Sequence, residues 1–441
     1  MQKRIHLCLA HMSETGMEQK YIQEAFDTKW VVPLGPNVDG FEEDLRRYFS
    51  TTPDPSSQEE GRRERETLYS PEAGKSQEAG KQIVALASGT AAVHLSLLAA
   101  GVGAGDEVLV QSFTFCASTN PIKYVGATPV MIDSETDTWN MDPALLEQAI
   151  LDRIAKTGRK PKAIMTVYLY GMPAKIDEIM AVAQKYDIPV IEDAAEAFGS
   201  RYKGQLVGTF GQYGILSFNG NKMITTSGGG ALICPDLAAK KKVMWWATQA
   251  REAYPYYQHE AIGYNYRMSN ICAGIGRGQM TVLEDHLAHH RHIANLYEAA
   301  FKDFPGITYH QEMPGMTSNY WLSTILLDEG LKVKGEDLAY AMPVKGAVGG
   351  AAGVVHPGNS IHTDCEPNQN VEALRIALDR AGIESRPLWK PMHKQPVYQD
   401  APAYVNGVSE SLFRRGLCLP SGPMVSDDDV DRIVRVIKES V

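Results

Sequence analysis

Lys222 lies in the stretch SFNGNKMITTSGGG (Ser217–Gly230), and Asp193 closes the short apolar run PVIEDA (Pro189–Ala194). A lysine amine attacks carbonyl carbons once its site disfavours the charged form. A carboxylate shielded by apolar neighbours is costly to hold without a cationic partner. Glycines let backbone come close to a bulky ligand. These are the parts a pyridoxal phosphate (PLP) site needs: an amine to form a Schiff base with the cofactor aldehyde, and an acid to keep the pyridine nitrogen protonated so that the ring accepts electrons. Local composition alone also admits a solvated lysine, and Asp193 also reads as the N-cap of a short helix in AAEAFG.

Other segments add to this pair. SGTAA (Ser88–Ala92) follows an apolar run and opens a helical pattern, so backbone N–H groups of Gly89 and Thr90 would be free to take an anion such as a phosphate; a capped helix without ligand has the same sequence. Phe115, in SFTFCASTN (Ser112–Asn120), would stack on an aromatic ring or fill the core. His286, His289, His290 and His292 share a helical stretch, but no carboxylate or cysteine pattern accompanies them, and no metal site is expected. AGVGAG (Ala100–Gly105) and AGIGRG (Ala273–Gly278) lack the strand-then-helix setting of a nucleotide fingerprint and read as a turn and a helix-packing surface.

The elements that must position these residues alternate along the chain. Apolar runs predict strands over Ile83–Ser88, Glu107–Ser112, Thr128–Asp133, Ala163–Tyr168, Pro189–Asp193, Gly214–Phe218 and Gly230–Cys234. Helical patterns such as PALLEQAILDRIAKTG separate the early ones. This implies an α/β chain with a mainly parallel, seven-stranded sheet covered on both faces. Ligands on such sheets bind at the carboxyl ends of the strands, where Ser88, Asp193 and Ser217 fall. From about Thr281 onward helical runs dominate, giving a large domain over 1–280 and a smaller C-terminal α+β domain over 281–441. Two segments interrupt the pattern: the polar stretch 51–82 and the Gly/Ala-rich stretch 341–370, both read as insertions.

Net charge is -10 over 441 residues, with 44% apolar and 22% charged residues. That disfavours nucleic acid and anionic membranes as main partners. No apolar stretch reaches the roughly 20 residues a membrane span needs. Cys8, Cys116, Cys234, Cys272, Cys365 and Cys418 are scattered without a CxxC pair, which fits a reducing, cytoplasmic setting better than a disulfide framework.

With SGTAAVHLSLLAAG, SFTFCASTNPIKYVGATPVMID, VIEDAAEAFGS, GTFGQYGILSFNGNKMITTSGGGAL and GYNYRMSNICAGIGRGQM in this order, the chain resembles the DegT/DnrJ/EryC1/StrS aminotransferases, PLP-dependent nucleotide-sugar enzymes of type I aminotransferase fold. SFNGNKMITTSGGG and ESRPLWKPMH (Glu384–His393) are most similar to the bacillosamine-type branch, which aminates C4 of UDP-linked 4-keto-6-deoxy-N-acetylhexosamines. The resemblance implies that Lys222 bonds to PLP, that Asp193 faces the pyridine nitrogen and Phe115 the ring, and that Gly89, Thr90 and Ser217 hold the phosphate. Glu196 matches a cofactor-side position that is His or Gln in many members. Asn265 matches a position that reaches the cofactor phosphate of a neighbouring subunit, so a homodimer with a shared site is implied. Arg267 and Arg386 are candidates for the anionic part of the substrate, or for structural ion pairs. L-Glutamate would be the amino donor, with pyridoxamine phosphate formed between the two halves of the reaction. Relatives that deoxygenate sugars carry histidine in place of this lysine, which argues against dehydration. C3 amination of a 3-keto nucleotide sugar and a non-catalytic PLP-binding regulator stay open as alternatives.

Overall fold

The structure, a computed structural model, describes residues 4–50, 80–335 and 365–441. Most of the two sequence-marked insertions, 51–79 and 341–364, lies outside the described residues. Their described ends are ordered elements: Gln82 begins the first strand, and Gln369 begins the helix Gln369–Arg380.

The main sheet contains β1 (Gln82–Leu86), β2 (Glu107–Gln111), β3 (Thr128–Ile132), β4 (Ala163–Val167), β5 (Val190–Asp193), β8 (Tyr213–Ser217) and β9 (Gly230–Cys234). Each matches an apolar run in the sequence to within two residues at either end. Between β5 and β8, the chain forms the short β6 (Arg201–Tyr202) and β7 (Gln205–Leu206), which pair with each other, and β6 also pairs with β11 (Met316–Thr317). The main sheet has eight strands rather than seven, in the order β1-β9-β8-β5-β4-β2-β3-β14. The added strand, β14 (Ala403–Tyr404), comes from the C-terminal part and runs parallel to β3. A two-residue strand carries no periodicity to read. Only β9 runs against its neighbours.

Alternate residues of the central strands enter different cores. Leu109 and Val190 pack on one face, while Val108, Val110 and Ile191 pack on the other. Both faces are therefore dry, and continuous apolar runs are what such strands require. A second sheet, β10 (Ile307–Tyr309), β12 (Ser323–Leu327), β15 (Gly416–Leu419) and β13 (Arg386–Pro387), is antiparallel. It shares a core with the helices Leu283–Phe301, Gln369–Arg380 and Asp427–Ser440.

The chain crosses between the two bodies more often than one boundary at 280/281 implies. Ile5 bridges Ile383 and packs in the core of the smaller sheet, and β14 returns to the larger one. The AGIGRG motif lies in the helix Asn270–Met280. A Cβ on Gly276 would sit 2.7 Å from Phe41 Cζ, and one on Gly278 would sit 2.6 Å from the Glu18 amide nitrogen. These glycines let the helices Met17–Asp27 and Pro36–Ser50 approach, so the motif is a packing surface.

Candidate active site

A cavity of about 340 Å³ opens at the carboxyl ends of β1, β4, β5 and β8. It lies at the small end of the range for small-molecule sites. Seven of the residues marked in the sequence line it: Gly89, Thr90, Phe115, Asp193, Glu196, Ser217 and Lys222.

Asp193 ends β5 with its carboxylate buried. Ser118 Oγ donates to its Oδ2 at 2.7 Å, and the Ala195 amide donates to Oδ1 at 3.2 Å. Burial pushes the carboxyl above its ordinary range, and these two neutral donors and the nearby Lys222 only partly oppose that. The site therefore favours a cation placed against Asp193.

Lys222 follows β8 in a turn closed by its own amide, which donates to Asn219 O at 2.9 Å. The turn is pinned by Trp321, which precedes β12 and whose Nε1 donates to Asn221 O at 2.5 Å. Lys222 Nζ sits 4.0 Å from the Trp321 ring centroid and 3.3 Å from Glu196 Oε1. An aromatic face and a carboxylate thus orient the amine within a mostly dry wall.

Glu196 is buried, and burial pushes its carboxyl up to about 7 despite the opposing Lys222 charge. Its Oε2 accepts the Tyr170 amide at 2.8 Å. Tyr170 adopts φ 56°, a left-handed conformation costly for a non-glycine residue, and this turn is what aims the amide at Glu196. A carboxyl that holds its proton more tightly folded than unfolded stabilises the fold below its unfolded pKa, and this contribution is lost as pH rises through about 7. The melting temperature of cofactor-free Glu196→Gln, relative to wild type, should therefore rise between pH 5 and pH 8. A pH-independent difference would contradict this.

The helix Gly89–Ala99 begins at the cavity. Ser88 caps it by accepting the Ala91 amide at 3.0 Å, which leaves the Gly89 and Thr90 amides at the open first turn. Ser217 closes β8 beside them. A Cβ on Gly89 would stand 3.0 Å from Ser217 Cβ, so only glycine leaves this gap open. Free amides, a helix N-terminus and a hydroxyl make an anion cradle. Phe115, the residue before the helix Cys116–Tyr124, is 55% exposed at the mouth. The whole arrangement suits a flat ligand with a cationic ring nitrogen at Asp193, an anionic tail at Gly89–Thr90 and a carbonyl carbon within reach of Lys222. PLP has these groups.

The other three marked residues do not line the cavity. The Arg267 side chain is largely covered; its guanidinium bonds Glu42 and donates to Ala85 O at 2.9 Å. Glu42 also pairs with Lys240 at 2.8 Å and accepts the Ala85 amide at 2.9 Å. Arg267 therefore ties the helix Pro36–Ser50 to β1, which is the structural alternative left open by the sequence. Arg267→Met should destabilise the fold by about 2 kcal/mol, because it leaves the buried Glu42 carboxylate with Lys240 as its remaining cationic partner; chemical denaturation measures this, and a change below about 0.5 kcal/mol would contradict it. Arg386 lies on β13 and donates to Glu384 Oε1 at 3.0 Å. Asn265 is exposed and bridges Thr248 on the outer surface.

The histidines have local duties. His286 meets Met223 O at 3.2 Å, His290 meets Tyr320 O at 3.1 Å, and His292 pairs with Asp427 at 2.8 Å. Among the described residues, no three His, Cys, Asp or Glu side chains are grouped for a metal.

Sequence reading missed Ser118, Tyr170, Trp321 and Trp389. Ser118 and Trp389 stood inside quoted motifs without being singled out, whereas Trp321 reaches Lys222 only through the tertiary fold.

Known proteins resemble the chain over nearly its whole length. A model of the DegT/DnrJ/EryC1/StrS aminotransferase family matches residues 77–352 and 351–438. EpsN of Bacillus subtilis (strain 168), which carries the name of a pyridoxal phosphate-dependent aminotransferase, is 42% identical over 99% of this chain and 96% of its own. GDP-perosamine synthase of Escherichia coli O157:H7 is 33% identical over 97% and 96%. A solved DegT DnrJ EryC1 StrS aminotransferase from Brucella abortus superposes with TM-score 0.76 at 27% identity, covering 96% of this chain and 95% of that one.

Proposed function

Since the chain belongs to the DegT/DnrJ/EryC1/StrS aminotransferase family, we propose that it moves an amino group from L-glutamate to C4 of a UDP-linked 4-keto-6-deoxy-N-acetylhexosamine, for bacterial surface polysaccharide or glycan synthesis. The enzyme is a PLP-dependent sugar aminotransferase. The observation that carries the reading is the presence of Lys222, Asp193 and the Gly89–Thr90 amides in one cavity.

Bound there, PLP supplies an electron-accepting ring that stabilises negative charge on the reacting carbon. Asp193 holds the ring nitrogen protonated, which a carboxylate otherwise supported only by Ser118, Ala195 and the nearby Lys222 is suited to do. Gly89, Thr90 and Ser217 hold the phosphate and fix the ring against sliding. Lys222 Nζ takes the proton from the donor carbon and delivers it on the other side of the transfer, as base and then acid. Trp321 and Glu196 keep that amine aimed into the cavity. Phe115 covers the mouth. The sugar would lie at the cavity mouth, with the nucleotide extending outward.

A homodimer is proposed as the working unit. Large apolar side chains stay exposed on the segment that carries Asn265, with Tyr257 at 77% and Ile262 at 81%, and Trp30 and Val31 are exposed as well. Exposed large apolar side chains of this kind are what an association surface would cover. Asn265 would then reach the partner's cofactor phosphate. All six cysteines are free, which supports a reducing compartment, the cytoplasm. No helix among the described residues is long and apolar enough to cross a membrane.

A GDP-linked 4-keto sugar is the second reading, favoured by the 33% identity to GDP-perosamine synthase. Incubation with L-glutamate and each keto sugar, followed by mass and NMR analysis of the product, tests both. A 4-amino product from the UDP sugar supports the first reading. Amination of the GDP sugar alone would replace it with the second.

A further inference from the structure

We propose that Trp389 is the residue that reads the sugar: its indole is the platform on which the keto-sugar ring lies, and Ser112, His393 and Glu410 hold that platform in place. This rests on the aminotransferase reading of the same cavity.

With the phosphate assigned to Gly89–Thr90, the ring nitrogen to Asp193 and the reacting carbon to Lys222, the rest of the cavity has an aromatic wall of Phe115, Trp321 and Trp389, of which Trp321 is buried and Phe115 and Trp389 keep exposed surface. Lys222 is the only lysine or arginine among the described residues that line it. Recognition of the sugar at this wall therefore falls to faces rather than charges. A 6-deoxy-N-acetylhexose presents an apolar C–H face and two methyl groups, which suit a flat π surface. The Trp389 and Phe115 rings stand 5.2 Å apart and tilted by 51°, an open angle between two faces.

Trp389 is only partly buried, yet its backbone is tied down on both sides. Leu388 is buried and its amide donates to Gly416 O at 3.1 Å. The Trp389 amide donates to Tyr170 Oη at 2.9 Å. Downstream, the Met392 amide donates to Ser112 O at 2.8 Å. His393 Nδ1 lies 2.7 Å from Ser112 Oγ, and its Nε2 lies 3.2 Å from Glu410 Oε1. Ser112 follows β2 on the main sheet, so this chain of bonds docks the segment from the smaller body against the cavity rim. The indole packs on its inner side against Tyr170 and Trp321, and, being only partly buried, it keeps the rest of its surface for the cavity it lines. His393 is a positioning residue in this scheme; Trp389 touches the substrate.

The test measures the two half-reactions separately in holoenzyme with Trp389 replaced by Ala, Leu or Phe. Trp389→Ala and Trp389→Leu should raise KM for the keto sugar about tenfold, while the glutamate half-reaction slows by no more than about threefold. Trp389→Phe, which keeps a flat face, should recover most of the loss. His393→Ala should give a smaller shift in the sugar KM alone. An unchanged sugar KM, equal damage to both half-reactions, or Leu performing as well as Phe would each overturn the proposal. Binding of UDP-N-acetylglucosamine against UDP, measured by calorimetry, decides the matter independently of turnover. Trp389→Leu should weaken the first and leave the second within about twofold; parallel loss of both would overturn the platform. Failure of wild type to react with glutamate would count against the aminotransferase reading instead.

Discussion

Lys222→Ala should hold PLP only reversibly and should lose turnover by a factor on the order of 10²–10⁴ or more, the range for removing a positioned acid–base group. The fold should survive. Glu196 loses its cationic neighbour, but its carboxyl is already pushed up to about 7 by burial, so near neutral pH it can take a proton instead of standing as an uncompensated charge. Dialysis separates the outcomes: wild type should keep its cofactor colour and the variant should lose it. A small primary amine added to the variant should restore part of the rate, because the cavity that held the side chain is then open to it. Normal turnover in Lys222→Ala would remove the assignment.

Asp193→Asn is the second large effect. The amide oxygen keeps an acceptor for Ser118 Oγ and the shape stays close to the carboxylate, so the local packing should hold, at the loss of the longer bond from the Ala195 amide. What is lost is the charge opposite the ring nitrogen. Removing one such preorganised electrostatic group lowers kcat by about 10²–10³ in comparable sites. Stability should move the other way. In the cofactor-free protein the buried Asp193 faces desolvation with mainly neutral donors, so the neutral variant should melt at the same temperature or higher. A rate within about twofold of wild type would contradict the assigned role, and a large drop in melting temperature would make the carboxylate structural.

The readable parts of this chain are those whose signal is local. Seven strands stood out because both of their faces are buried, so Val108, Leu109 and Val110 form one apolar run. Lys222, Asp193 and Gly89 stood out because a glycine-rich turn, a strand-end carboxylate and a helix start each have a short signature. The rest depends on distance. Trp389 gains its place through a bond to Tyr170 across 219 positions, and no window of sequence contains both. Arg267 has the look of a substrate cation in GYNYR, yet its partner Glu42 lies 225 positions away and takes up its charge. β14 is too short to show alternation, so the return of the C-terminal part to the main sheet was not legible.

The central claim, two half-reactions at one lysine with glutamate and a 4-keto sugar, is tested most directly by absorbance. The purified holoenzyme is first given L-glutamate and then UDP-2-acetamido-4-keto-2,4,6-trideoxyhexose. The visible band of the bound cofactor is expected to bleach in the first step and to return fully in the second. A band that glutamate leaves untouched, or one that bleaches and never returns with this sugar, would contradict the donor or the acceptor respectively.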